Sequence, residues 1–309
     1  MTSKCVKHYR DIGEELPTAG FTPDAEYPII NGEKGIVNYK YRRKLNQQGE
    51  FILKSINGGI APNVVPEYAE AQVIIPKSRI AEVKKLAQGV EEIKLEEKEN
   101  CLLVKSFGIS AHGSRPDESK NAVSHLLLFL GKLDFVGSVR EFLSFMNENI
   151  GLDTERRKLG ICLEDEMSGK FVSNLGMLIG IEKEIDISIN MRYPVTKKYE
   201  DFKHVFVNKM REGKMEELST RHKKSLYVSP DNQFIKKLQK VYEEKVGERA
   251  ELIFIGGGTY AKSMGNILAF GPIFKGQPML EHKPDEYIEI DSLMKNVRIM
   301  AAAIYELAN

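Results

Sequence analysis

The chain has little cysteine: three residues in 309, Cys5, Cys101 and Cys162. The number is odd, the spacing is wide, and no Cys-x-x-Cys pair occurs. This argues against a disulfide frame and for reduced thiols in a cytosolic protein. None of the three stands in a recognisable nucleophile context. An excess of charge is lacking too. The 45 Lys and Arg against 44 Asp and Glu leave a net charge of +1, so no global field steers the chain toward nucleic acid or an anionic membrane. The basic clusters at 42–44, 156–158 and 221–224 are short and lie close to acids, as solvated faces do. No apolar run reaches membrane-spanning length. The opening stretch MTSKCVKHYRDIGEEL has no apolar core like that of a secretion signal. There is no internal repeat and no low-complexity stretch.

What is present is ordinary globular composition, 42% hydrophobic and 29% charged, long enough for two domains and a sizeable core. A first helix is expected from a Thr2 or Ser3 cap toward Glu15. Strands are expected at 35–44, 51–56, 69–75, 101–108, 170–178 and 184–193, and helices at 76–94, 121–133, 139–149 and 199–211. This mixture between Ile36 and about Leu226 reads as an inserted α+β domain. The remainder differs: an amphipathic helix 231–246, short apolar strands at 251–255 and 267–270, a polar loop 281–286, and a last helix 291–307 capped by Asp291. That order is the end of an α/β sandwich.

Some residues stand where chemistry would place them. In FTPDAEYPIINGEKGI, Asp24 follows Pro23 at a strand end, where a carboxylate is either a surface turn residue or an oxygen aimed into a cleft. His112 lies in the turn Ala111-His112-Gly113, closed by Pro116, with small neighbours that leave the imidazole accessible to a developing oxyanion. His282 sits in a loop with Glu281, Asp285 and Glu286, a setting suited to a zinc ligand. Arg192 closes the strand EIDISINMRY on the face opposite Ile185, Ile187, Ile189 and Met191, and its fork suits a carboxylate. Gly256-Gly257-Gly258-Thr259 has neither the Lys-Ser/Thr of a Walker A loop nor the G-x-G-x-x-G spacing. Its glycines instead let the backbone pass close to a substrate. His8, His125, His204 and His222 read as surface or half-buried histidines.

Together, FTPDAEYPIINGEKG, GGIAPNVVP, GISAHGSRP with NAV, NMRYP, GGGTYA and LAFGP with EHKPDE resemble, in order and spacing, the bacterial PepV-type dipeptidases of the two-zinc aminopeptidase and aminoacylase superfamily, which includes carnosinases. The resemblance covers essentially the whole chain. It implies that Asp24 and His282 each bind one of two Zn²⁺ ions, with Mn²⁺ or Co²⁺ as substitutes. It implies further that His112 holds the oxyanion, that Asn63 and Arg192 fix the dipeptide, Arg192 by its C-terminal carboxylate, and that Gly257 and Gly258 pass beside it. The reaction implied is dipeptide hydrolysis by a zinc-activated water.

The family's His-x-Asp motif, bridging Asp and Glu-Glu pair fall upstream of the position of Thr2 and have no counterpart here. The expected fold is therefore α/β: an incomplete catalytic sandwich from residues 1–32 and 227–309 around an α+β lid at 33–226. The expected chain is a truncated cytoplasmic dipeptidase, inactive alone, with no nucleic-acid or membrane partner. An exposed sheet edge is expected to favour self-association or a missing N-terminal half. The alternatives are a non-catalytic dipeptide-binding protein and one half of a split enzyme.

Overall fold

The computed structural model describes residues 4–264, 266–278, 280 and 285–309. The chain divides into two compact units: Met1–Gly35 with Asp165–Ser168 and Lys224–Asn309, and Ile36–Glu164 with Gly169–Lys223.

The larger unit is built on an eight-stranded sheet. Its strands run in the order Glu216–Lys223, Gly35–Lys44, Glu184–Tyr193, Val172–Ile181, Ile52–Gly58, Tyr68–Ile74, Cys101–Phe107 and Ile93–Lys98. Alternation sets the faces. Val37, Tyr39 and Tyr41 are at most 1% exposed, while the residues between them are half-buried or exposed. In Glu184–Tyr193 the whole apolar set Ile185, Ile187, Ile189 and Met191 is buried. Helices Ala122–Leu130, Gly137–Asn149 and Glu200–Glu212 bring Leu126, Leu130, Phe142, Met146, Phe206 and Met210 into the same core. Each fully buried side chain of this kind contributes about 1.5–3 kcal/mol. Ala122–Leu130 is apolar on almost every side, as a helix surrounded by protein must be. The Asn121 side chain caps it, accepting the Ser124 N–H at 3.0 Å.

The structure corrects two expectations here. The stretch 76–94 is not one helix. A 3₁₀ turn and a short helix, Ile80–Ala87, are followed by Gly89 at φ 78°. Ile93–Lys98 is then a strand, pairing antiparallel with Cys101–Phe107. Ile93 and Leu95 also fit a period of two, and the hydrogen bonds to the neighbouring strand decide between the periods. Glu216–Lys223 has no expected counterpart, because EELSTRHK carries no apolar alternation. It is an edge strand, mostly exposed.

In the smaller unit Ile29–Glu33 is the hub, with all five residues buried. It pairs in parallel with Leu252–Ile255 and antiparallel with Leu226–Tyr227 and Ile267–Ala269. Gly20–Thr22 adds in parallel to Ile267–Ala269. Helices Gln233–Val246 and Ile290–Ala308 close a core of Tyr27, Ile29, Leu238, Val241, Phe270 and Ile299. Tyr27 meets Phe270 edge-on at 4.9 Å. Gln233–Val246 has clear ends: Asn232 accepts the Phe234 N–H at 2.9 Å, and Gly247 closes it at φ 78°.

The last helix starts one residue earlier than expected. Glu289 holds the cap position without a side-chain bond, and Asp291 lies inside the first turn, where its charge still favours the helix dipole. The first helix spans Lys4–Asp11, shorter than the expected run to Glu15. The expected caps Thr2 and Ser3 lie outside the described residues. No described helix is long and apolar enough to cross a membrane.

Candidate active site

Asp24 is set by two short pieces of parallel pairing. Before it, Phe270 N–H donates to Thr22 O at 3.0 Å; after it, Ala25 N–H donates to Gly271 O at 2.9 Å. Held between these, the half-buried carboxylate accepts the Tyr260 N–H through Oδ2 at 3.2 Å. Tyr260 opens the 3₁₀ turn that follows the glycine loop.

Under that loop lies a carboxylate that the sequence reading did not single out. Glu33 ends the central strand beside Ile255 and is fully buried. Its Oε2 accepts the Thr259 N–H at 2.9 Å and its Oε1 accepts the Thr259 hydroxyl at 2.5 Å. Lys262 Nζ stands 4.0 Å from Oε2, also buried, and donates to the carbonyls of Lys34 and Gly257. Desolvation raises the Glu33 pKa above its ordinary value. Lys262 and the Thr259 bonds pull the other way, and the charge of Asp24 adds to the rise. Glu33, Thr259 and Lys262 thus pin the glycine loop from beneath, and Asp24 takes its next N–H. At Gly257 an added Cβ would meet only Ile255 Cδ1, at 3.5 Å, so packing alone does not demand glycine there. Gly258 is exposed at the loop surface.

The larger unit carries Asn63, His112 and Arg192. The first two are brought together by backbone pairing. Val64 and His112 form an antiparallel bridge, Gly113 N–H donates to Asn63 O at 2.7 Å, and Val65 N–H donates to Ala111 O at 2.9 Å. A Cβ on residue 113 would stand 3.0 Å from Asn63 O, so glycine is what lets these turns approach. Asn174 fastens the Asn63 turn from the sheet, donating to Pro62 O at 3.0 Å and Val64 O at 2.9 Å. Two residues before it on the same strand, Val172 pairs with Arg192. Arg192 is 3% exposed, not the surface residue its polarity would suggest, and its Nε donates to Asn190 Oδ1 at 3.0 Å. Burial pushes its pKa down to about 10. Asn63 and His112 are exposed, and His112 Nδ1 lies 2.6 Å from Ser114 Oγ, a contact that orients the ring.

His282, expected as a metal ligand, lies outside the described residues. Among the described residues no three His, Cys, Asp or Glu side chains are grouped to hold a metal ion. Asp24 has one oxygen already engaged, and Glu33 is fully committed to Thr259. The described donors therefore do not complete a metal site.

The sequence model of peptidase family M20/M25/M40 matches residues 13–306. The chain belongs to peptidase family M20/M25/M40. Relatives of this M20 chain include "Putative dipeptidase YtjP" of Bacillus subtilis (strain 168), 37% identical over 314 residues. A second is "Putative dipeptidase SH1171" of Staphylococcus haemolyticus, 29% identical over 313 residues. The alignments cover 99% and 98% of this chain and 66% of each relative. The M20 chain thus spans 66% of the length of these relatives. A crystal structure of aminoacylhistidine dipeptidase from Vibrio alginolyticus superposes with a TM-score of 0.52 at 13% identity, over 96% of this chain and 66% of that one. This shows a shared mixed α/β fold.

Within each unit the structure therefore joins some of the expected residues and leaves others apart. Asp24 and the glycine loop share hydrogen bonds, as do the Asn63 and His112 turns. Glu33 and Lys262 were missed; Glu33 stands in INGEKG between two turn glycines, a visible signal, whereas Lys262 follows the glycine loop with no local mark. What the pattern could not show is that the Glu is buried against Thr259, 226 positions away.

Proposed function

We propose that this chain carries the substrate-recognition part of a metal-dependent dipeptidase of the M20 family. The observation that carries the reading is the arrangement of the larger unit. An amide, an imidazole and a buried guanidinium are held by one sheet and its loops through Asn174, Gly113 and Asn190. Arg192 receives the C-terminal carboxylate of the dipeptide, which its planar fork suits. Asn63 fixes the peptide beside it. His112 donates a hydrogen bond to the oxygen that becomes an oxyanion when water adds to the peptide carbonyl. The segment 33–226 acts as the lid, and residues 1–32 and 227–309 contribute the catalytic side through Asp24, His282 and the loop at Gly257 and Gly258.

Zn²⁺ is the metal this reading expects, with the remaining donors supplied by polypeptide beyond these 309 residues. Two features support such a requirement. The last helix exposes an apolar stripe including Ile290, Leu293, Met294, Val297, Ile304 and Tyr305, and apolar surface on this scale marks an interaction face. The strand Leu252–Ile255, next to the glycine loop, has no second pairing partner among the described strands, and bare apolar edges recruit further chain. The described cysteines form no disulfide, which suits a reducing cytoplasm.

The test is a turnover assay of the purified 309-residue chain on dipeptides with added Zn²⁺ or Mn²⁺. We expect no hydrolysis above the metal blank, because a catalytic zinc site needs three protein ligands. Turnover that disappears in His282→Ala would show that this chain is sufficient and would overturn the requirement for further polypeptide.

A further inference from the structure

A cavity of about 260 Å³ opens in the larger unit, between the start of helix Ala122–Leu130 and the loop that carries Thr154 and Arg156. Arg156 is 1% exposed and lies at φ 57°. That left-handed conformation costs a non-glycine residue about 1 kcal/mol or more and persists only where surroundings enforce it. They do. Its Nε donates to Ser173 Oγ at 3.0 Å, and its Nη1 donates to the carbonyls of Ile150 and Asp153. Its Nη2 donates to nothing among the described residues and is not among the sealed atoms that lack a partner, and Arg156 lines the cavity. Burial pushes the guanidinium pKa down to about 10, with Asp153 partly opposing the shift.

A second buried donor lines the same space. Ser124 is 2% exposed, and its N–H is taken by the Asn121 cap. Its hydroxyl, like Arg156 Nη2, is not among the sealed polar atoms that lack a partner, and Ser124 lines the cavity. Neither atom is sealed in the protein, so both donors can face an acceptor in the cavity. The cavity also has an acidic side. Asp117 lines it, with Oδ1 accepting the Thr154 hydroxyl at 2.8 Å. Asp153 lines it too, its carboxylate already accepting the Glu155 and Lys158 N–H groups.

We propose that this cavity binds a free α-amino acid, its carboxylate on Arg156 Nη2 and Ser124 Oγ and its ammonium group toward Asp117. The volume equals that of roughly nine waters, enough for a small amino acid with some hydration. The lining sets Asp117 and Asp153 against Arg156 and Lys120, a mixed charge that suits a zwitterion better than a phosphate dianion. Arg156 bonds Ser173, whose neighbour across the sheet is Met191 of the apolar face, whereas Arg192 belongs to the alternate set of that strand. The two arginines therefore serve opposite faces of the sheet. Selecting an amino acid among small carboxylates rests on the dipeptidase reading, since free amino acids are what that reaction releases. The carboxylate site itself does not depend on it. The consequence is a product-sensing site on the lid.

The experiment is calorimetric titration of the full chain with L-alanine, and separately with acetate and with L-alanine amide. L-Alanine should bind saturably, and about tenfold more weakly to Ser124→Ala, the effect of one lost bond to a charged group. Asp117→Asn, at an exposed position, should weaken L-alanine but not acetate. The amide should not bind, and Arg192→Ala should leave L-alanine affinity unchanged. Saturable binding that ignores Ser124→Ala, or is lost in Arg192→Ala, would place the amino acid elsewhere and overturn the proposal. So would acetate binding with L-alanine excluded, or no binding of either. None of these outcomes requires the chain to hydrolyse dipeptides.

Discussion

Glu33→Ala should destabilise the chain by about 3–5 kcal/mol, the cost of removing one partner from a buried charge pair. That is a large share of the roughly 5–15 kcal/mol by which domains of this kind are stable. Two separate losses add up. Lys262, 4.0 Å from the carboxylate and buried, keeps its carbonyl acceptors but loses its counter-charge. The Thr259 N–H and hydroxyl lose their shared acceptor in a site closed to water. Urea denaturation measures the change, and the pair Glu33→Leu with Lys262→Met should recover much of it, because an apolar pair leaves no orphaned charge. If Glu33→Ala unfolds at the wild-type urea midpoint, Glu33 does not hold the loop.

The same residue sets a pH dependence. Burial raises the Glu33 pKa above its value of 4.5 in the unfolded chain. A raised carboxyl holds its proton longer in the folded state. Its stabilising contribution is complete below 4.5 and is lost as pH rises through the folded value. Wild-type stability should therefore fall relative to Glu33→Gln as pH rises above 4.5, even though ion-paired acids such as Glu96 and Asp186, whose pKa values are lowered, give both proteins a slope of the opposite sign.

Arg192→Ala should weaken dipeptide binding by about 30-fold or more. Truncating one partner of a buried, hydrogen-bonded charge pair costs about 2–5 kcal/mol, and each 1.4 kcal/mol is tenfold. Arg192 meets the conditions for a large effect. It is 3% exposed, its Nε is aimed by Asn190, and Asn190 is held in turn by donating to Asn38 Oδ1 at 2.8 Å. Arg192→Lys should not restore binding, since an ammonium lacks the planar fork. Calorimetry reads both variants. Unaltered affinity in Arg192→Ala would remove this residue from recognition.

The sequence was most informative where chemistry and local pattern coincide. The alternation in EIDISINMRY located Glu184–Tyr193 and put Arg192 opposite the isoleucines. Turn glycines and prolines located His112 and Asp24. It was least informative where a partner lies far along the chain. Nothing near Glu33 announces Thr259, and nothing near Arg156 announces Ser173 or the cavity at Ser124. Burial of a polar residue depends on what covers it, and that is fixed by packing rather than by its neighbours in sequence. The strand Glu216–Lys223 was invisible for a related reason: an exposed edge strand carries no apolar alternation to detect.

The most direct test of dipeptide recognition compares an unmodified dipeptide with its C-terminal amide by calorimetric titration of the wild-type chain. Recognition through the Arg192 guanidinium predicts saturable binding of the free acid and binding of the amide that is weaker by about 30-fold or more. Equal affinities for acid and amide would contradict it.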